Sequence, residues 1–139
     1  MTPVLHHVGI LVVDIPKAAQ MYVARFGYRI CGEIIHDPVQ TAYVQFLQGD
    51  STGPLIELVA PDGAQSKLCN ALKKGGGLNH LCYQSENIEQ DCRELAAAGM
   101  LTLQAPVAAT AFPGGGRIAW LMGRDGIPIE LVQLASRPA

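Results

Sequence analysis

Apolar and polar residues alternate along the chain in a pattern that predicts one order of elements and then repeats it. Residues 5–13 are apolar and β-branched, which is typical of a buried strand. Asp14 is suited to cap a helix, Pro16 to lie in its first turn and Gly27 to end it. Three further strands are predicted at residues 28–36, 41–47 and 55–59. The predicted order of the first half is therefore β-α-β-β-β.

A short joint separates this half from a second half with the same predicted order. Residues 66–74 predict a short helix that ends at the glycines of residues 75–77. A strand at residues 78–83 is followed by a helix that Asn87 is suited to cap and that ends before Gly99. Three strands are predicted after it, at residues 100–103, 117–122 and 127–134.

The connection at residues 107–116 consists mostly of small residues. We interpret it as a mobile segment near the mouth of a cavity, and the sequence leaves open whether it closes over a ligand. The glycines of 75–77 and 114–116 lack the spacing of a phosphate-binding loop.

Two sequence features recur at the same offset of 73 residues. The tetrapeptide IELV occurs at 56–59 and again at 129–132, and His7 corresponds in the same way to His80. Each half thus opens with a histidine and closes with a glutamate, Glu57 or Glu130. A strand glutamate between Ile and Leu points to the face opposite its neighbours. We therefore predict one site shared between two similar modules.

Composition narrows the classes of function. The 139 residues are 49 % hydrophobic and 16 % charged, with a net charge of −2 and a pI near 6.0. This balance gives no electrostatic reason to expect a nucleic-acid or anionic-membrane partner. No basic leader pattern and no apolar stretch of membrane-spanning length is present, so we expect a cytoplasmic protein. The four cysteines lack CxxC spacing and are expected to be free thiols.

The four repeated residues carry the chemistry of a metal site. Two imidazoles and two carboxylates suit a borderline-to-hard divalent ion such as Co, Mn, Ni, Zn or Fe. A single histidine in a strand is more often packed in the core or hydrogen-bonded than bound to a metal. The repeat of both His and Glu is what favours a role as metal ligands here. His6 must point away from the side taken by His7, and His36, beside Asp37, is interpreted as a loop residue. The predicted ligands are His7, Glu57, His80 and Glu130.

Four motifs make the chain resemble the vicinal-oxygen-chelate (glyoxalase/bleomycin-resistance/extradiol-dioxygenase) superfamily. They are HHVGI at 6–10, ELVAP at 57–61, GGLNH at 76–80 and IELVQ at 129–133. The resemblance implies an α+β fold in which two βαβββ modules form an eight-stranded, cupped mixed sheet around a divalent metal. It implies a single domain over 1–139, with module 1 at 5–61, a linker helix within 62–77 and module 2 at 78–135.

Within the superfamily the chain most resembles the methylmalonyl-CoA epimerases, on the HHVGI start, the ELVAP motif, the short helix from Ser66 that leads to the glycine run, and the terminal IELVQ. That resemblance implies a homodimeric, metal-dependent isomerase that removes a proton next to the carbonyl of an acyl-CoA thioester. Glu130 is the first candidate for the base and Glu57 the second. The chain departs from the epimerases in one respect, since residues 41–47 contain no carboxylate where those enzymes place a second glutamate. Gln45 and Tyr43 are poor substitutes in proton transfer.

Three other functions are compatible with the same superfamily. A lactoylglutathione lyase (glyoxalase I) would act on a glutathione hemithioacetal with a base on one face. A ring-cleaving dioxygenase would use Fe(II) with two histidines and one glutamate, and the extra acid Glu57 argues against it. A small-molecule-binding or resistance protein would lack the metal ligands. A CoA substrate would need basic residues at the cavity mouth, for which the chain offers Lys67, Lys73, Lys74, Arg117 and Arg124.

Overall fold

The structure is a computed structural model that describes residues 3–112 and 114–135. Pro113, which belongs to the predicted segment 107–116, and the ends of the predicted domain at residues 1–2 and 136–139 lie outside the described residues. The elements in chain order are β1 (Leu5–Leu11), α1 (Ile15–Phe26), β2 (Arg29–Asp37), β3 (Ala42–Gln48), β4 (Leu55–Pro61), α2 (Cys69–Lys73), β5 (Gly77–Gln84), α3 (Ile88–Ala97), β6 (Leu101–Ala108), β7 (Gly116–Met122) and β8 (Pro128–Leu134). The predicted order β-α-β-β-β in each half is confirmed.

The chain divides into two compact units, each taken within the described residues. The first unit is His7–Asn79, and the second combines Met1–His6 with His80–Ala139. In the first unit the strands lie in the order β2-β3-β4-β1, with β1 parallel to β4 and the other neighbours antiparallel. In the second unit the order is β5-β8-β7-β6, with β5 parallel to β8 and the rest antiparallel.

Local signals in the sequence set the helix ends. The Asp14 carboxylate accepts a hydrogen bond from the Lys17 backbone N–H at 3.0 Å, and Gly27 ends α1 with a φ of +75°. The Asn87 side chain accepts from the Gln90 N–H at 3.1 Å in the same way at the start of α3. These contacts satisfy backbone donors that the first helical turn leaves without a partner.

The repeat extends into the hydrophobic core of each unit. In the first unit, Ile15 and Ala19 of α1 pack on Leu58 of β4, and Leu47 and Ala60 complete the cluster. In the second unit, the residues 73 positions later take the same places. They are Ile88, Cys92 and Leu131, with Ala119 and Leu121 completing that cluster. Burying each large aliphatic side chain stabilises the fold by about 1.5–3 kcal/mol. The face of the strands that packs on the helix is therefore the apolar one in each unit.

Two predicted elements differ in length from those observed. Helix α2 begins at Cys69 rather than at Ser66, whose hydroxyl donates to the Thr41 carbonyl at 2.6 Å and so belongs to a turn. Strand β6 extends to Ala108, beyond the predicted 100–103. It pairs with β7 despite Pro106, because an edge strand tolerates a missing backbone donor.

The connection between β6 and β7 is shorter than the predicted segment 107–116. The first two residues of that segment belong to β6, its last residue belongs to β7, and the Ala109 N–H donates to the Gly116 carbonyl at 3.0 Å. Ala111 and Phe112 are buried.

No helix within the described ranges combines the length and the apolar character needed to cross a membrane.

Gly76 gives a test of the turn that follows α2. Its φ is +65°, and a Cβ there would lie 2.7 Å from the Leu11 carbonyl oxygen. Gly75 also has a positive φ, +119°, but a Cβ there meets nothing within 4 Å. We expect Gly75→Ala to lower the free energy of unfolding by about 1–3 kcal/mol through backbone strain. Gly76→Ala should cost roughly 1–3 kcal/mol more because of the clash. Urea denaturation measures both, and equal losses would contradict the close approach.

Candidate functional site

The first unit contains a buried pair formed by His7 and Glu57. In the parallel register of β1 and β4, Glu57 lies beside Gly9, which is two residues from His7 and therefore shares its face. The His7 Nε2 and Glu57 Oε1 atoms are 3.5 Å apart, and both side chains are almost fully buried. Ile56 and Leu58, the neighbours of Glu57, pack on the opposite face against the helix. The prediction that the Glu57 side chain points to the face opposite its two neighbours is therefore confirmed.

The second unit contains the equivalent pair formed by His80 and Glu130. Glu130 lies beside Cys82 in the parallel register of β5 and β8, as Glu57 lies beside Gly9. His80 Nε2 and Glu130 Oε1 are again 3.5 Å apart and again buried. Each pair is thus produced by the same local arrangement. We refer to the two sets as the His–Glu pairs.

The distance within each pair fits two ligands of one metal ion. Charge-assisted hydrogen bonds between N and O atoms are usually about 2.7–2.9 Å long, shorter than the distance seen here. Two ligand atoms at about 2.0–2.2 Å from one ion, at angles of about 90–110°, lie roughly 2.8–3.6 Å apart. Imidazole nitrogen and carboxylate oxygen are also the donor types that zinc and similar divalent ions accept. Each His–Glu pair therefore has donor atoms and a spacing that are compatible with two ligands of one divalent ion.

An aromatic ring packs against the histidine of each His–Glu pair. These two rings were not predicted from the sequence. Phe46 lies opposite Glu57 in β3, and its ring makes an edge contact with His7 at a centroid distance of 5.3 Å. Trp120 lies opposite Glu130 in β7, and its ring makes an edge contact with His80 at 4.7 Å. The equivalence was hidden because these residues are offset by 74 positions rather than 73. Strand pairing opposite each glutamate is the signal that identifies them.

Three buried apolar side chains of β3 lie on the face that carries His7 and Glu57. Phe46 lies opposite Glu57, so Val44 and Ala42 share its face, and all three are buried. Gln45 and Tyr43 lie on the opposite face, where the Gln45 side-chain amide donates to the Gly32 carbonyl at 3.1 Å. Neither Gln45 nor Tyr43 therefore replaces the carboxylate that residues 41–47 lack.

On the neighbouring strand β2, Asp37 shares this face because it lies opposite Ala42. Its buried carboxylate accepts a hydrogen bond from the Gln40 backbone N–H at 3.2 Å. Asp37 thus helps to form the β2–β3 turn.

The other two histidines lie in different surroundings. The ring of His6 packs against Phe112 at a centroid distance of 5.4 Å. His36 belongs to β2 rather than to a loop, and its Nε2 forms a hydrogen bond with Asp62 at 2.9 Å. The side chain of His36 is about half exposed.

Two of the five predicted basic residues, Arg117 and Lys67, have partners among the described residues. Arg117 forms an ion pair with Glu89, and the Lys67 ammonium donates to the Val39 carbonyl at 3.2 Å.

The cysteines are free thiols, as predicted. Burial raises the pKa of the Cys92 thiol, and the nearby carboxylates of Glu89 and Asp91 raise it further.

Comparisons with known proteins give a consistent family. The sequence profile of the Glyoxalase/Bleomycin resistance protein/Dioxygenase superfamily matches residues 6–120. Human mitochondrial methylmalonyl-CoA epimerase is 30 % identical over 133 residues, which cover 93 % of this chain and 73 % of that protein. The ethylmalonyl-CoA/methylmalonyl-CoA epimerase of Cereibacter sphaeroides is 34 % identical over 101 residues, covering 71 % of this chain and 73 % of that protein.

A solved structure supports the same relationship. Methylmalonyl-CoA epimerase from Mycobacterium tuberculosis superposes with a TM-score of 0.83 at 27 % identity, covering 95 % of this chain and 88 % of that one. The glyoxalase-like α+β fold class expected from the sequence is therefore confirmed. These relatives are isomerases, which agrees with the class of enzyme predicted.

The facing of β3 can be tested by two substitutions in that strand. Phe46 is buried against His7, so Phe46→Ala should lower the free energy of unfolding by about 3–5 kcal/mol. Tyr43 is 41 % exposed on the other face, and Tyr43→Ala should cost about 1 kcal/mol or less. Thermal and chemical denaturation of the two variants measures the difference. A larger loss for Tyr43→Ala would reverse the assignment of the two faces.

Proposed function

The chain belongs to the glyoxalase/bleomycin resistance protein/dioxygenase superfamily, and from that membership we propose that it is a metal-dependent epimerase. Its proposed substrate is an acyl-CoA thioester of the methylmalonyl-CoA type, on which two of its relatives are named as acting. The observation that carries the proposal is the duplicated His–Glu pair, buried and spaced like two ligands of one ion in each unit. A buried carboxylate beside an ion suits removal of a proton next to a carbonyl.

We propose that both His–Glu pairs bind the same ion. Catalytic metal sites in proteins use about three protein ligands and structural sites about four, and one pair supplies two. His7 and His80 would provide the nitrogen ligands, and Glu57 and Glu130 the oxygen ligands. The set suits Co, Mn, Ni, Zn or Fe(II), and its donor types do not select one of them.

The ion, when bound, would stabilise the negative charge that develops on the carbonyl oxygen as the α-proton leaves. The proposed base is Glu130, whose carboxylate can accept that proton through an oxygen atom. Burial of Glu130 and His80 excludes water from the base. Trp120 and His80 hold each other in position through their edge contact.

Epimerisation also requires a group that returns the proton to the other face of the carbon. β3 offers no carboxylate beside Glu57, and the Asp37 carboxylate takes part in a turn. We therefore propose Glu57 as the second acid. Its environment matches that of Glu130, since it is buried, lies 3.5 Å from a histidine and faces an aromatic ring.

Metal binding is the first test of the shared site. We expect about one divalent ion per chain in protein purified without chelator, and an increase in stability of about 2.7 kcal/mol at 100 times the dissociation constant. His7→Ala and His80→Ala should each abolish binding, because each removes a ligand from the one site. His36→Ala is the matched control and should bind normally, since His36 pairs with Asp62.

Elemental analysis and thermal denaturation measure these effects, and circular dichroism verifies that each variant folds. Two ions per chain would separate the His–Glu pairs into two sites. Full metal content in either His7→Ala or His80→Ala would remove that histidine from the ligand set.

Proton exchange is the test of the chemistry. In deuterated water the wild-type protein should exchange the α-proton of methylmalonyl-CoA, as followed by proton NMR. Glu130→Gln should lower the exchange rate by about 10²–10⁴-fold, because the amide cannot accept the proton. Glu33→Gln changes an exposed carboxylate of β2 and should leave the rate unchanged.

Bound metal without exchange in the wild type would contradict the epimerase assignment. Turnover of a glutathione hemithioacetal by the same protein would then identify a lactoylglutathione lyase. The homodimer expected from the resemblance stays a prediction, which light scattering of the purified protein would check.

A further inference from the structure

Trp120 occupies a defined place beside the His80–Glu130 pair. It lies in β7 directly opposite Glu130, so its side chain shares the face that carries Glu130. Its ring contacts the His80 ring at a centroid distance of 4.7 Å and an interplanar angle of 76°. The proposed metal site and base therefore have the indole as a direct neighbour.

The indole N–H of Trp120 is buried and has no hydrogen-bond acceptor within residues 3–112 and 114–135. This group is a donor only, and tryptophan normally finds a partner for it when buried. Leaving such a donor without an acceptor is unfavourable in a folded protein. An acceptor from outside the described protein atoms would remove that cost.

The first unit shows that packing against histidine does not require an indole. Phe46 holds the equivalent position there, opposite Glu57, and makes the same kind of edge contact with His7. Phenylalanine provides that contact without a polar atom to satisfy. The N–H of Trp120 is therefore an addition that the packing alone does not explain.

We propose that the Trp120 indole N–H donates a hydrogen bond to an oxygen of the acyl group of the bound substrate. The identity of that substrate, an acyl-CoA thioester with carbonyl and carboxylate oxygens, rests on the proposed function. The bond holds the acyl group next to Glu130, which takes the α-proton. Trp120 is thus a substrate-binding residue, and Phe46 is its apolar counterpart in the other unit.

The experiment uses the fact that Trp120 is the single tryptophan of the chain. A ¹⁵N-labelled sample loaded with Zn²⁺, which is diamagnetic, gives one indole ¹H–¹⁵N signal, which reports directly on this N–H. Addition of methylmalonyl-CoA should move the indole proton downfield and slow its exchange with water. Calorimetry on the same sample measures the affinity independently.

Trp120→Phe removes the N–H and keeps an aromatic ring of the kind that Phe46 already provides. We expect it to fold, to keep its metal content and its stability, and to bind methylmalonyl-CoA about 10-fold more weakly. Tyr83→Phe is the control, since it removes a hydroxyl from a residue that packs on the helix side of the second unit. Its affinity should equal that of the wild type.

The outcomes separate this inference from the proposed function. Binding of methylmalonyl-CoA without a change in the indole signal, and with equal affinity for Trp120→Phe, would overturn the hydrogen bond and leave the epimerase proposal standing. A Trp120→Phe protein that loses stability and metal would show a structural role instead. Absence of methylmalonyl-CoA binding to the metal-loaded wild type would overturn the proposed substrate, and the inferred contact with it.

Discussion

The register of two parallel strand pairs is the constraint on which the site depends. Pairing of β1 with β4 sets Glu57 beside Gly9, and pairing of β5 with β8 sets Glu130 beside Cys82. A slip of one residue would turn each glutamate towards the helix and bring Ile or Leu to the face of the histidine. Burying a carboxylate in the helix-side core is costly, so the register that builds each His–Glu pair is also the one that the core requires.

The two units have equivalent hydrophobic cores but differ in the aromatic residue beside the His–Glu pair. Their cores correspond at a constant offset, from Ile15 to Ile88 and from Leu58 to Leu131. Around the His–Glu pairs, by contrast, phenylalanine in one unit is matched by tryptophan in the other. A duplicated scaffold thus builds the His–Glu pair twice and leaves the adjoining positions free to differ.

Local signals explain how much of this could be predicted from sequence. The caps at Asp14 and Asn87 and the alternation around Glu57 act over a few residues, so the pattern alone identifies them. The extent of β6 could not be predicted in this way, because its residues around Pro106 have low strand preference and are held by pairing with β7. The start of α2 depends on a hydrogen bond between Ser66 and Thr41, 25 residues apart. The facing of Phe46 and Trp120 depends on pairing across strands, which the repeat in sequence did not reveal.

The hydrogen bond from the Gln84 N–H to the Val4 carbonyl, 2.9 Å long, has a consequence for how the protein forms during synthesis. It belongs to the second unit, although Val4 lies near the start of the chain. Until the ribosome has made Gln84, the Val4 carbonyl lacks this hydrogen-bond donor. An exposed backbone acceptor next to a strand is a point at which other chains can associate. Synthesis of β5 supplies the donor, so this contact is tied to the translation of the second half of the chain.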